Sequence, residues 1–166
     1  TVPTVQEAII ERAKHPAFGY FAASYEYYNS IIEWQKNRNG VTGLTKEYIG
    51  YENGVLGGVI STVTSFAAPG DAILLHSPTY IGFTNSVENN GYKIIHSPLK
   101  KDENGVFRMD YEDMDAKIKA NNIHVAIFCN PHNPLGRVWE REELEKAMEV
   151  YRKNDCIVIS DEMWSD

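Results

Sequence analysis

The sequence is poor in cysteine: only Cys129 and Cys156 occur in 166 residues. Two thiols without a nearby histidine pattern are too few ligands for a metal centre and form no disulfide framework. Both lie in apolar, strand-like runs and read as buried free thiols of a reducing compartment. No run of 18 apolar residues occurs, which excludes a membrane-spanning helix. The N-terminus carries no basic-then-apolar signal, so a cytoplasmic location is expected. Basic residues are outnumbered: the formal net charge is −7, which disfavours a nucleic-acid partner. Internal repeats and low-complexity segments are lacking as well. What remains is 43% hydrophobic and 23% charged, the balance of a globular protein with a real core. The chain opens on Thr1 and stops at Asp166 just past a strand-like run, so a segment of something longer is expected.

The first part reads as helical. Residues Pro3 to His15 place Val5, Ala8, Ile9 and Arg12 at helical spacing behind a proline suited to a helix start. Tyr25 to Asn37 sets Tyr28, Ile31, Ile32 and Gln35 on one face, and the NRNG stretch ends it. Thr45 to Tyr51 reads as a short strand. From Gly54 a glycine-opened helix follows. Beyond Ala67, apolar strands (Ala72–His76, Tyr92–Ser97, His124–Cys129, Cys156–Ser160) alternate with helices near Tyr80–Asn90, after Asp110, and over Trp139–Asn154. The last of these is expected to bury Leu144, Ala147, Met148 and Tyr151. Strands apolar throughout suit a parallel sheet covered on both faces. The expected fold class is therefore α/β, a three-layer, mainly parallel sheet with helices on both faces. Residues 1–50 form an N-terminal helical segment and 51–166 the sheet-containing part.

In an open parallel sheet, ligands bind outside the carboxyl ends of the strands. There the sequence sets Ser77-Pro78-Thr79-Tyr80, then Asn130-Pro131-His132-Asn133-Pro134, then Asp161-Glu162. Each proline restricts the asparagine before it. A fourth piece, Asn53-Gly54-Val55-Leu56, opens a helix, and helix N-termini receive anions. Each part has a plainer reading alone. Tyr80 can be a packing tyrosine, Asp161 a turn cap, and the Asn-Pro pairs ordinary turns. Taken together, a flat ring, an amide, a carboxylate and a helix N-terminus meet the four demands of pyridoxal 5′-phosphate: stacking, a ring-oxygen partner, a ring-nitrogen partner and a phosphate site.

The stretches FGYF (Phe18–Phe21), HSPTYIGF, FCNPHNPLGRVW and ISDE together resemble the fold-type I pyridoxal-phosphate enzymes of the aminotransferase class I/II superfamily. More narrowly, they are similar to the MalY/PatB-type cystathionine β-lyases. The resemblance implies that Tyr80 stacks on the cofactor ring, Asn133 bonds the ring oxygen and Asp161 holds the ring nitrogen protonated. It implies that Gly54, Val55 and Leu56 give backbone N–H groups to the phosphate. It implies a homodimer, in which Tyr20 reaches the phosphate of the neighbouring subunit and residues 1–50 include the dimer-contact loop. The substrates implied are small amino acids, cystathionine or cysteine S-conjugates, split into thiol, pyruvate and ammonia. An amino-acid aminotransferase is the alternative, and a non-catalytic regulatory protein with the same fold a second one.

Two departures stand out. Leu135 replaces the threonine of the usual NPTG loop, and Trp164 stands where the lyases often carry histidine. Tryptophan donates one hydrogen bond and accepts none, so it serves as neither acid nor base. All ten lysines precede the ISDE strand, and none sits in a motif matching the Schiff-base lysine. That lysine is expected after Asp166, no catalytic residue is expected within the chain, and the 166 residues alone are expected to be inactive.

Overall fold

The structure is a computed structural model that describes residues 2–165. It divides into two compact units, Thr1–Tyr51 and Glu52–Asp166.

The first unit holds α1 (Pro3–Lys14), α2 (Tyr25–Asn39) and a 3₁₀ turn (Lys46–Tyr48). Pro3 occupies the start of α1, where its missing N–H costs nothing. Ser24 caps α2 by accepting from the Tyr27 N–H at 3.3 Å, and Gly40 ends it in the left-handed conformation at φ 67°. The half-buried face of α2 carries Tyr28, Ile31, Ile32 and Gln35, as its spacing predicts. The strand expected over Thr45–Tyr51 is a 3₁₀ turn instead. Its β-prone residues have no partner strand among the described residues of the unit, and the Tyr48 N–H bonds back to the Thr45 carbonyl at 3.1 Å.

The second unit opens with α3 (Val55–Phe66) and β1 (Ala72–Ser77), then α4 (Ile81–Asn89) and β2 (Lys93–Pro98). A small hairpin of β3 (Lys100–Lys101) and β4 (Phe107–Arg108) precedes α5 (Tyr111–Asn121), β5 (Val125–Cys129), α6 (Arg141–Lys153) and β6 (Ile157–Asp161). The four long strands form one parallel sheet in the order β2-β1-β5-β6. Alternate side chains of the central strands feed two cores. Ile73, Leu75, Val125 and Ile127 pack with Val59, Val63, Phe83 and Val87 of α3 and α4. Leu74, Ala126 and Phe128 pack with Met114, Ile118, Ala147 and Tyr151 of α5 and α6. This is the three-layer α/β arrangement, with β5 buried along its whole length.

Two elements depart from what their sequence pattern predicts. Ile157 of β6 is 42% exposed, because β6 lies at an edge of the sheet. In α6 the buried face is Glu143, Ala147, Val150 and Tyr151, while Met148 is exposed. The helix is turned so that Glu143 can meet Arg108 at 2.9 Å and also Arg137. Burial alone would raise the Glu143 carboxyl. Bonds from the Glu140 N–H, Arg108 and Arg137 outweigh that and hold it below the usual range.

Candidate cofactor site

The carboxyl ends of β1, β5 and β6 share one edge of the sheet, since all three strands are parallel. After β1, Tyr80 takes the N-cap position of α4. Its ring stands edge-on to Phe83, with centroids 5.6 Å apart and planes at 87°. It also covers Gly82. A Cβ there would lie 2.8 Å from Tyr80 Cζ, closer still to Cε1, and 3.0 Å from Leu56 Cδ1.

After β5 the chain makes a braced loop in which the two asparagines divide the work. Asn130 closes it: its N–H donates to the Asp161 carbonyl at 2.9 Å, and its Oδ1 accepts from the Trp139 N–H at 3.1 Å. Trp139 Nε1 adds a bond to the Cys129 carbonyl at 3.0 Å. The tip is a tight turn, with the His132 N–H bonded to the Arg137 carbonyl and the Gly136 N–H to the His132 carbonyl, both at 2.7 Å. Gly136 sits at φ 67°, which suits glycine. Leu135 packs against the core, which accounts for an apolar residue at the usual threonine position. Arg137 lies 4.9 Å above the Trp139 ring and pairs with Glu143 of α6. Asn133 is thereby presented on a loop anchored on both sides. The Ser77-Pro78, Asn130-Pro131 and Asn133-Pro134 bonds are cis.

At the end of β6, Asp161 is buried, with 8% exposure. Its Oδ2 accepts from the Cys129 thiol at 3.3 Å, a bond set by the pairing of Cys129 with Asp161 across β5 and β6. No cation pairs with this carboxylate among the described residues. At the fourth corner, Gly54 turns the chain into α3 at φ 80°, a conformation open to glycine, and its N–H donates to the Glu52 carbonyl at 2.9 Å. The first-turn N–H groups that follow, from Val55 onward, have no acceptor within the helix.

These pieces surround one cavity of about 500 Å³. Gly54, Val55, Leu56, Tyr80, Asn133 and Asp161 all line it, joined by Asn53, Phe83, Met163 and Trp164. Phe83 was legible only as an apolar residue one helical turn beyond Tyr80, and Met163 carried no signal. Cys129, the register partner of Asp161, shows in the sequence only as a thiol in an apolar run. The donor set fits pyridoxal phosphate: a buried carboxylate without a cation, a carboxamide, a flat ring and open backbone N–H groups. Tyr20 belongs to the first unit. It is fully exposed there; Phe18 lies under the Arg12 guanidinium at 5.0 Å and Phe21 meets the Tyr51 ring at 4.9 Å, yet both stay largely exposed, at 73% and 69%.

Behind the loop lies a buried polar pair. His76 Nε2 is 3.3 Å from the Tyr151 hydroxyl. Burial, with the neighbouring His132 pushing the same way, lowers the His76 imidazole to about 4. Burial lowers His132 too.

Fold and cavity together define an open parallel α/β sheet with a ligand site at its strand ends. The chain matches the family described as aminotransferase class I and II over residues 1–166 and belongs to it. It is 36% identical over 162 residues to cystathionine β-lyase PatB of Bacillus subtilis, covering 98% of this chain and 41% of that protein. It is 27% identical over 167 residues to protein MalY of Escherichia coli, covering 100% of this chain and 42% of that one. Among solved structures, the PLP-bound C–S lyase from Staphylococcus hominis superposes with a TM-score of 0.85 at 34% identity, over 97% of this chain and 41% of that one. The chain thus spans about two fifths of the length of the relatives it matches.

Proposed function

We propose that the protein is a pyridoxal-phosphate-dependent carbon–sulfur β-lyase, releasing thiol, pyruvate and ammonia from cystathionine or cysteine S-conjugates. The observation that carries the cofactor reading is Asp161: a buried carboxylate, unpaired by any cation among the described residues, lining the same cavity as Tyr80, Asn133 and the start of α3. The similarity to cystathionine β-lyase PatB and to the C–S lyase of Staphylococcus hominis favours the lyase over the aminotransferase.

When bound, the cofactor supplies an electron sink for the pair left at Cα. Asp161 keeps a proton on the pyridine nitrogen, which deepens that sink. Tyr80 offers its face to the ring, held by Phe83 behind it and by the space left at Gly82. Asn133 donates its amide to the ring oxygen from a loop that is already ordered, so little freedom is lost on binding. The N–H groups of Val55 and Leu56, beside Gly54, receive the phosphate at the positive end of α3. Trp164 and Met163 give the cavity an apolar flank suited to the thioether part of a substrate. None of these residues is assigned the Cα proton.

We also propose a cytoplasmic homodimer. Tyr20 crosses to the phosphate site of the partner subunit, and the exposure of Phe18, Tyr20 and Phe21 supports an interface there. The buried free thiols Cys129 and Cys156 support a reducing compartment, and no helix among the described residues is long and apolar enough to cross a membrane. The test of the activity is product analysis with the full-length protein and cystathionine. A lyase releases pyruvate with no 2-oxo acid added, whereas turnover that requires an added 2-oxo acid would establish the aminotransferase.

A further inference from the structure

We infer that Cys129 is a positioning residue for Asp161: its thiol, as a neutral donor, fixes one carboxylate oxygen so that the other faces the cofactor. This rests on the reading of the cavity as the pyridoxal-phosphate site.

The geometry is specific. Cys129 ends β5 and Asp161 ends β6, and the two are register partners. Both are buried, at 5% and 8% exposure. Cys129 Sγ lies 3.3 Å from Asp161 Oδ2 and 3.3 Å from the Pro131 carbonyl oxygen. A thiol has one proton for these two acceptors. If the proton pointed only at Pro131, the sulfur lone pairs would face a buried carboxylate oxygen. A carboxylate is also the stronger acceptor, so the proton is directed to Oδ2. No protein donor reaches Oδ1 among the described residues.

The thiol remains protonated. Burial pushes it up to about 11, with the adjacent Asp161 carboxylate adding in the same direction against a backbone bond at Asn133. It therefore donates throughout the neutral range and brings no second negative charge beside Asp161. The backbone reinforces the arrangement, because the Asn130 N–H holds the Asp161 carbonyl and Trp139 holds that of Cys129. Among the described residues, the Asp161 side chain has no other protein donor to fix its rotation.

The experiment compares Cys129→Ala and Cys129→Ser in the full-length protein. Both variants remove sulfur volume, but only serine keeps a donor. The readout is the dissociation constant for pyridoxal 5′-phosphate, measured by absorbance titration, with the melting temperature of the cofactor-free protein as a check on packing. The alanine variant should bind about three- to tenfold more weakly, the loss of one weak charge-assisted bond. The serine variant should stay within about twofold of wild type. Equal losses in both variants would make Cys129 a packing residue and overturn the inference. Wild-type affinity in both, with Asp161→Asn weakened, would overturn it too while leaving the cofactor site intact. If Asp161→Asn also bound as tightly as wild type, the reading of the cavity itself would fall.

Discussion

The ring of Tyr80 occupies the space that a side chain at Gly82 would need. A Cβ there would come within 2.8 Å of Tyr80 Cζ, with Leu56 Cδ1 at 3.0 Å on the other side. Gly82 is in α4 and has no left-handed φ, so alanine suits its backbone. What must yield is the Tyr80 ring, the free end of a side chain that is 39% exposed. Gly82→Ala should leave the melting temperature unchanged or slightly higher, as alanine favours helix. Cofactor affinity should fall about two- to tenfold, the worth of one displaced stacking partner. A thermal melt and a cofactor titration on the same variant separate the two effects. A large loss of stability with unchanged affinity would show that the glycine serves packing alone.

Replacing Asp161 removes a buried carboxylate from the cavity. Asp161→Ala should weaken cofactor binding by about 1.5–3 kcal/mol, the value of a bond to a charged group. Turnover should fall further, because the unprotonated ring is a poorer electron sink. Equilibrium titration and steady-state kinetics report these separately. Unchanged values in both would remove Asp161 from the site.

His76 makes stability depend on pH. Its imidazole titrates at 6.5 in the unfolded chain and near 4 in the fold, where burial and His132 disfavour the charge. Above pH 6.5 it is neutral in both states and the fold keeps its full stability. As pH falls, the unfolded chain takes up a proton that the fold refuses. Stability then drops by about 1.4 kcal/mol per pH unit, down to pH 4. His76→Phe should be less stable overall, since the Tyr151 hydroxyl loses its partner, yet its stability should be flatter between pH 6.5 and 5. Denaturant titrations across that window check the slope, and a wild-type slope in the variant would contradict the assignment. His132, lowered in the same direction, accounts for the slope that remains.

The proposed crossing of Tyr20 is read by subunit mixing. One subunit carries Tyr20→Phe and the other Asp161→Ala. If Tyr20 acts on the partner's site, one site collects both lesions and the other is intact, restoring about half of wild-type activity. If it acts on its own site, each site carries one lesion and no activity returns.

Those tests rest on features that were unequally visible in the sequence. β5 was plain because all five of its residues are buried, so the run is unbroken. The caps of α2 and α5 were plain because Gly40 and Asp110 act locally, Asp110 accepting from the Asp113 N–H at 3.0 Å. The cavity lining was legible because parallel strands bring their carboxyl ends to one edge. Other features depend on partners distant in sequence. The turn at Lys46–Tyr48 has strand-like residues but no strand to pair with. The face of α6 is set by Arg108 of β4, which brings Glu143 inward and leaves Met148 outside. The contact of Cys129 with Asp161 follows from the register of β5 on β6, and the role of Gly82 from a ring folded back over its own helix. Composition and spacing encode neither.

The proposed function turns on pyridoxal phosphate binding in the cavity between Tyr80 and Asp161. A crystal structure of the full-length protein grown with the cofactor tests this most directly. The pyridine ring should lie against Tyr80, its nitrogen within hydrogen-bond distance of Asp161, its ring oxygen at Asn133 and its phosphate at Gly54–Leu56. A cofactor bound elsewhere, or in this cavity with its nitrogen turned away from Asp161, would contradict it.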